Sequence, residues 1–277
     1  MKIVDAQVHI WSNAAPTGLH RKVSRLSPEE MLAEMDEAGV DAALIHPPTA
    51  WDPAANDYAV EAARRYPERF AVLGQFAPDV PENRRLIRGW RDQPGMKGLR
   101  WSLLAPEQQA WLRDGTLDWL WPAAEAEGLP IATMGGIFLP EFRAIAERHP
   151  GLKLILDHCG LNRHGRDASA FAHLDEMLAL ARLPNVAVKM TGAPHYSTEP
   201  YPFRNIQDGL RRIFDAYGPQ RVFWGTDITR MPCSYRQCVN FFTEELPWLH
   251  GRDLELVMGR ALCAWIDWDL AFDGDAP

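Results

Sequence analysis

The chain has 277 residues, 47% of them hydrophobic and 24% charged, with a formal net charge of −8. That balance describes a globular chain with ample material for a core, and it excludes a disordered polar chain and the long apolar run of a membrane span. Its 37 acids and 29 bases are scattered without a basic stripe, which argues against nucleic acid and for a small-molecule partner, with self-association to a homo-oligomer left open. The opening MKIVDAQVHIW is too polar for a signal peptide, so no membrane partner and a cytoplasmic location are expected.

In chain order, short apolar, β-branched runs predict strands at 3–9, 42–47, 71–76, 96–101, 130–135, 152–158, 186–190 and 221–227, each followed by a helical pattern. The first helix is the best marked. SPEEMLAEMDEAG opens on Ser27 as cap, places Pro28 at the first helical position and stops at Gly39. PAANDYAVEAARRYP, LPEFRAIAERHP and NIQDGLRRIFDAYG repeat the pattern. The strands are apolar on both faces, as a parallel sheet covered by helices requires. Eight strand–helix units in a chain of this length predict a single-domain α/β fold spanning 1–277, a (β/α)8 TIM barrel. A doubly wound sheet would carry a glycine-rich phosphate loop after its first strand, and HIWSNAAPTG is not one.

In such a barrel the active site lies at the C-terminal ends of the strands. Gln7 and His9 end the first strand, their i, i+2 spacing turning both side chains inward. Lys97, Arg100 and Trp101 end the fourth, Asp157 and His158 the sixth, Lys189 the seventh and Asp227 the eighth. Polar groups inside a barrel are costly unless paired or working, so their recurrence at one end signals function. Asp157 is expected to point away from His158 and to be structural, Lys97 to alternate away from Arg100, and His46 to be either a satisfied histidine or a cleft wall. Cysteines 159, 233, 238 and 263 form no CxxC pair or zinc ribbon and are expected to be reduced, with Cys159 the one candidate for reactivity.

VDAQVHIW, GLRW (98–101), LILDHCGL (154–161), NVAVKMTG (185–192) and RVFWGTDIT (221–229), in this order, are similar to the motifs of the amidohydrolase superfamily. They resemble in particular the amidohydrolase-2 group, with its lactonases of the 2-pyrone-4,6-dicarboxylate lactonase and L-fuconolactonase type. Two departures stand out. Gln7 occupies the first histidine position of the family's D-x-H-x-H opening, and Met134 stands where metal-dependent members carry a histidine ligand. Amide oxygen is a poor zinc ligand beside imidazole. The resemblance therefore implies a metal-free hydrolase, with one zinc held by His9, His158 and Asp227 as the alternative.

The same resemblance implies opening of a lactone or related cyclic ester of a carboxylate-bearing or sugar-derived substrate. Asp227 would activate water, while His158 and His9 polarise the carbonyl or orient the water and Gln7 donates a hydrogen bond. Arg100 and Arg230 would clamp a substrate anion. Lys189, His195, Tyr196 and Trp101 would be further substrate contacts, and Trp11 and Trp51 are as readily packing as pocket wall. A metal-dependent decarboxylase and a ligand-binding barrel without chemistry are the competing readings.

Overall fold

The computed structural model describes residues 1–272. Its eight strands are β1 (Val4–Val8), β2 (Ala42–Ile45), β3 (Phe70–Gly74), β4 (Met96–Trp101), β5 (Ile131–Thr133), β6 (Leu154–Leu156), β7 (Val186–Thr191) and β8 (Val222–Gly225). They pair in sequence order, all in parallel, from β1 to β8. This is the predicted barrel, and each predicted run overlaps one strand, β3 beginning one residue before its run and β7 ending one residue after.

Local chemistry sets the helix ends. The helix Pro28–Ala38 starts at Ser27, whose side chain accepts the Glu30 N–H at 3.2 Å while Glu30 reciprocates to the Ser27 N–H at 2.7 Å. It stops at Gly39, where φ is 77°. Helices Ala55–Arg65 and Leu139–Arg148 fall within two of the other predicted segments, and Arg204–Tyr217 starts one residue before the third. The connection between β3 and β4 differs from expectation: it consists of 3-10 turns, Pro81–Ile87 and Trp90–Asp92. Pro78 and Pro81, which lack an N–H, and Gly89 at φ 72° interrupt any longer helix there.

The core has two shells. Leu44, Ile155, Ala187 and Phe223 fill the barrel interior together with Leu262, Ile266 and Trp268 of the C-terminal segment. A larger shell lies between strands and helices and contains the alternate strand residues, Ile45, Leu154, Leu156, Val188 and Trp224 among them. Strand alternation therefore projects the next inward residues, His46 after Leu44, Asp157 after Ile155 and Lys189 after Ala187, into the layer above the apolar plug.

Strands β1 and β8 close the ring largely through polar groups. The Asp227 N–H donates to the Gln7 carbonyl at 2.9 Å. Buried Asp5 accepts from the Thr226 N–H at 2.9 Å, the Thr226 hydroxyl at 2.5 Å and the Tyr235 hydroxyl at 2.7 Å. Gly225 permits this approach, because a Cβ there would lie 2.4 Å from the Thr191 side chain and 3.0 Å from the Ala6 nitrogen.

Candidate active site

The polar residues at the C-terminal end of the barrel form two tiers. The lower rests on the apolar plug and centres on Lys189, whose side chain is fully buried. Its ammonium lies 2.7 Å from Asp157 Oδ1 and 2.9 Å from His46 Nε2, and it donates to Gln7 Oε1 at 3.1 Å. Arg100 Nε donates to Asp157 Oδ2 at 2.9 Å. Burial lowers the Lys189 pKa to about 8, against the pull of Asp157. Burial opposes ionisation of Asp157 too, but the adjoining cations Lys189 and Arg100 prevail and hold its carboxyl far below the usual range.

This corrects the expectation that Asp157 faces away, while its pairing with Lys189 and Arg100 agrees with a structural role. Asp157 points inward because it continues the alternation of Ile155. His158 joins it by leaving that alternation: the backbone turns left-handed at His158, φ 53°, and at Cys159, φ 60°. On β1 the pairing register shifts between Asp5 and Val8, and beyond it Gln7 and His9 both reach the interior.

The upper tier surrounds Asp227, itself at φ 54°. His9 Nδ1 donates to the His46 carbonyl at 2.6 Å, and its Nε2 faces Asp227 Oδ1 at 3.2 Å. Arg230 Nε donates to Asp227 Oδ2, and an Arg230 terminal nitrogen lies 3.0 Å from His158 Nδ1. Burial works against the Asp227 carboxylate, yet Arg230 and His9 outweigh it and keep its pKa well below the ordinary value. Gly192 makes room for this arginine, since a Cβ there would sit 2.8 Å from its terminal nitrogen.

Burial, and then Arg230, lower the His158 pKa to about 3, so its ring is neutral at pH 7. Nδ1 faces both Arg230, which can only donate, at 3.0 Å and the Thr191 carbonyl, which can only accept, at 3.3 Å; with the nearer arginine as donor, Nδ1 accepts and the ring proton rests on Nε2. Lys189 likewise fixes the Gln7 amide, taking Oε1 and leaving the NH2 to face His158 Nε2 at 3.4 Å. In that tautomer Gln7 Nε2 and His158 Nε2 are two donors 3.4 Å apart beside Asp227, with His158 Nε2 4.0 Å from Asp227 Oδ2. That arrangement suits an incoming carbonyl oxygen.

The other predicted residues separate. Tyr196 donates its hydroxyl to the His158 carbonyl at 3.1 Å and so braces the left-handed turn from beneath. His195 packs on Tyr196 with Nε2 3.4 Å from the Arg163 carbonyl, and burial, followed by Arg230, lowers its pKa to about 4. Trp101 alternates away from Arg100 into the helix-facing shell, where its Nε1 donates to the Phe76 carbonyl at 2.9 Å; it does not join the site. Lys97 also points away, to the Asp267 carbonyl. Fully buried Trp11 is packing, whereas Trp51 stands 6.3 Å from the His9 ring as a wall. Cys159 is buried with its thiol pushed up to about 12, so it is not a reactive group.

His20, on the loop after β1, is a member that sequence reading missed. Its Nδ1 lies 2.8 Å from the Thr229 hydroxyl and its ring stands edge-on to Trp51 at 4.6 Å and to His9 at 5.6 Å. Burial brings its pKa down to about 4 although Asp227 pulls it upward. A histidine in a loop has no strand parity to mark it.

The family's divalent metal fits this donor set poorly. Gln7 replaces one imidazole and presents its NH2, not its oxygen, to the cleft. Met134 replaces another. The Lys189 ammonium and the Arg230 guanidinium already neutralise the carboxylates that a metal would need, and among the described residues no group of three or more His, Cys, Asp or Glu side chains converges as ligands.

An eight-stranded parallel barrel with an Asp–His–Arg cluster at its C-terminal mouth is a TIM barrel with its polar cluster at the end where such barrels carry active sites. The amidohydrolase family pattern matches residues 4–265, and the chain belongs to that family. It is 26% identical to the L-fucono-1,5-lactonase of Burkholderia ambifaria over 237 residues, 81% of this chain and 79% of that one. It is also 26% identical to the 4-sulfomuconolactone hydrolase of Hydrogenophaga intermedia over 222 residues, 74% of this chain and 68% of that one. A crystal structure of an amidohydrolase from Burkholderia multivorans with bound zinc superposes with a TM-score of 0.83 at 20% identity, covering 97% of this chain and 100% of that one.

Proposed function

We propose that the protein hydrolyses a lactone, or a related cyclic ester, that carries an acidic group, through water activated by Asp227 and without a resident metal. The observation that carries this reading is the position of Gln7 Nε2 and His158 Nε2, 3.4 Å apart beside a buried carboxylate, where both donate when the His158 proton is on Nε2. The names of the two curated relatives support lactone opening as the reaction class.

A carboxylate held by Arg230 is a weak base, so the substrate itself has to loosen that clasp. An acidic group on the substrate competes for the guanidinium, aided by Arg100, whose Nε alone is committed to Asp157. Freed in part, Asp227 takes a proton from water as the water oxygen bonds to the carbonyl carbon, with His9 steadying the carboxylate. Gln7 and His158 donate to the oxyanion that forms. The tetrahedral intermediate then collapses, the ring C–O bond breaks, and the proton on Asp227 passes to the departing alkoxide, giving an open-chain hydroxy acid. Lys189 acts through Gln7 and does not touch substrate, in contrast to its expected role as a contact.

The test is a panel of neutral and acidic lactones, followed by acid release at weak buffering, before and after prolonged chelation. Opening of an acidic lactone that survives chelation is the expected result. Loss of turnover with removal of one bound metal per chain, restored by zinc, would sink the metal-free mechanism. Carbon dioxide release from an aromatic acid would favour a decarboxylase.

A further inference from the structure

Cys233 and Cys238 lie outside the site and are not used by the mechanism. Their sulfurs stand 3.5 Å apart, and both are free thiols. The contact follows from the start of the helix Tyr235–Thr243. Ser234 is its cap, accepting the Gln237 N–H at 3.1 Å, so Cys233 precedes the cap and Cys238 is the fourth helical residue. Side chains at these two positions normally meet as an apolar staple. Here both are cysteines, spaced C-x4-C, a separation outside the usual redox signature.

We propose that Cys233 and Cys238 form a redox modification site, which a hydroperoxide closes to a disulfide that locks the chain between Arg230 and this helix. Cys233 is partly exposed and Cys238 is buried beneath it, so the oxidant meets Cys233 first. Either thiol can donate to the other; with the buried Cys238 as donor, the hydrogen bond lowers the Cys233 pKa and raises that of Cys238. The Cys233 thiolate attacks a peroxide oxygen: an S–O bond forms, the O–O bond breaks and hydroxide leaves, giving a sulfenic acid. Cys238 sulfur then attacks the Cys233 sulfur, the S–O bond breaks, and the departing hydroxide takes the Cys238 proton as water. Two thiols lose two electrons and one peroxide becomes two waters. The sulfurs must close from 3.5 Å to a bond of about 2.05 Å, a movement of about 1.5 Å.

The site lies in the segment that follows Arg230, and Tyr235, two residues beyond Cys233, donates to Asp5 at the barrel seam. Cys159 and Cys263 provide internal controls, since burial pushes both thiols up to about 12.

Treating the reduced protein with a few equivalents of hydrogen peroxide should remove about 2 Da, the two hydrogens of a disulfide. Arg236 lies between the cysteines, so trypsin should release Met231–Arg236 joined to Gln237–Arg252, a link that reductant dissolves. Cys233→Ser and Cys238→Ser should each abolish the 2 Da loss. Amide exchange over 231–238 should slow several-fold in the oxidised protein and stay unchanged in peroxide-treated Cys233→Ser. Sulfinic acid at Cys233 with Cys238 still free, or oxidation confined to the other cysteines, would overturn the site; a disulfide that leaves exchange unaltered would overturn the lock.

Discussion

The two tiers are built from the same kinds of side chain yet differ in what they leave free. In the lower tier, Lys189, Asp157 and Arg100 neutralise one another at 2.7–2.9 Å, with the Lys189 and Asp157 side chains sealed from solvent. In the upper tier Asp227 is shared among His9, Arg230 and the more distant His158, and none of the four side chains is wholly sealed from solvent. The lower tier is a buried ion-pair network that fixes geometry, and removing one member strands a charge. The upper tier keeps its partners exchangeable, as a group that must take up and release a proton requires. The contrast teaches that the residue types alone do not mark the working carboxylate.

Mutations should split along this line. Asp227→Asn keeps the shape and removes the base, so turnover of an identified lactone should fall by about 10²–10⁴-fold with the melting temperature little changed. Full activity in this variant would end the proposed mechanism. Lys189→Met should instead act on folding, at a cost of about 3–5 kcal/mol from leaving Asp157 half-paired in the interior, measured by denaturant unfolding. If Lys189→Met were as stable as the parent and merely slow, the two tiers would not be distinct. Arg230→Gln should raise KM for an acidic lactone by ~10–100-fold, the range of a lost charge-assisted contact, while changing a neutral lactone far less. Equal effects on both would remove Arg230 as the anion clamp.

A further effect concerns pH and the histidines around the upper tier. Folded His20 and His195 titrate at about 4 and His158 at about 3, below the ordinary 6.5. Between those values and 6.5 the unfolded chain binds more protons than the folded one. Their contribution is therefore complete above pH 6.5 and is lost as the pH falls towards 4. Asp5 opposes this, because burial raises its pKa to about 6 and so favours the folded state on acidification below that value. Three histidines against one aspartate predict a net fall in melting temperature between pH 6.5 and 4. A rise over that interval would show that Asp5 dominates.

The barrel was legible in the sequence because strand runs and helix caps are local signals: Ser27, Pro28 and Gly39 act where they stand. His9, Gln7 and Asp227 were legible by their position at strand ends. Legibility failed where the backbone left its regular period. His158 enters the site through a left-handed turn, so counting alternation from it sent Asp157 to the wrong face and hid the partner of both Lys189 and Arg100. Trp101 was drawn into the site by adjacency to Arg100, although alternation places neighbours on opposite faces. His20 depends on loop geometry, and the Cys233–Cys238 contact depends on where a helix begins.

The seam between β1 and β8 has a consequence for the newly made chain. His9 lies near the beginning of the polypeptide and Asp227 near its end, and they meet only where the last strand docks against the first through Asp5, Thr226 and Tyr235. A chain still emerging from the ribosome therefore lacks the His9–Asp227 contact, however well its early strands have formed. With Asp227 as the proposed base, hydrolytic competence and completion of the ring become one event, and partly made chains are chemically silent.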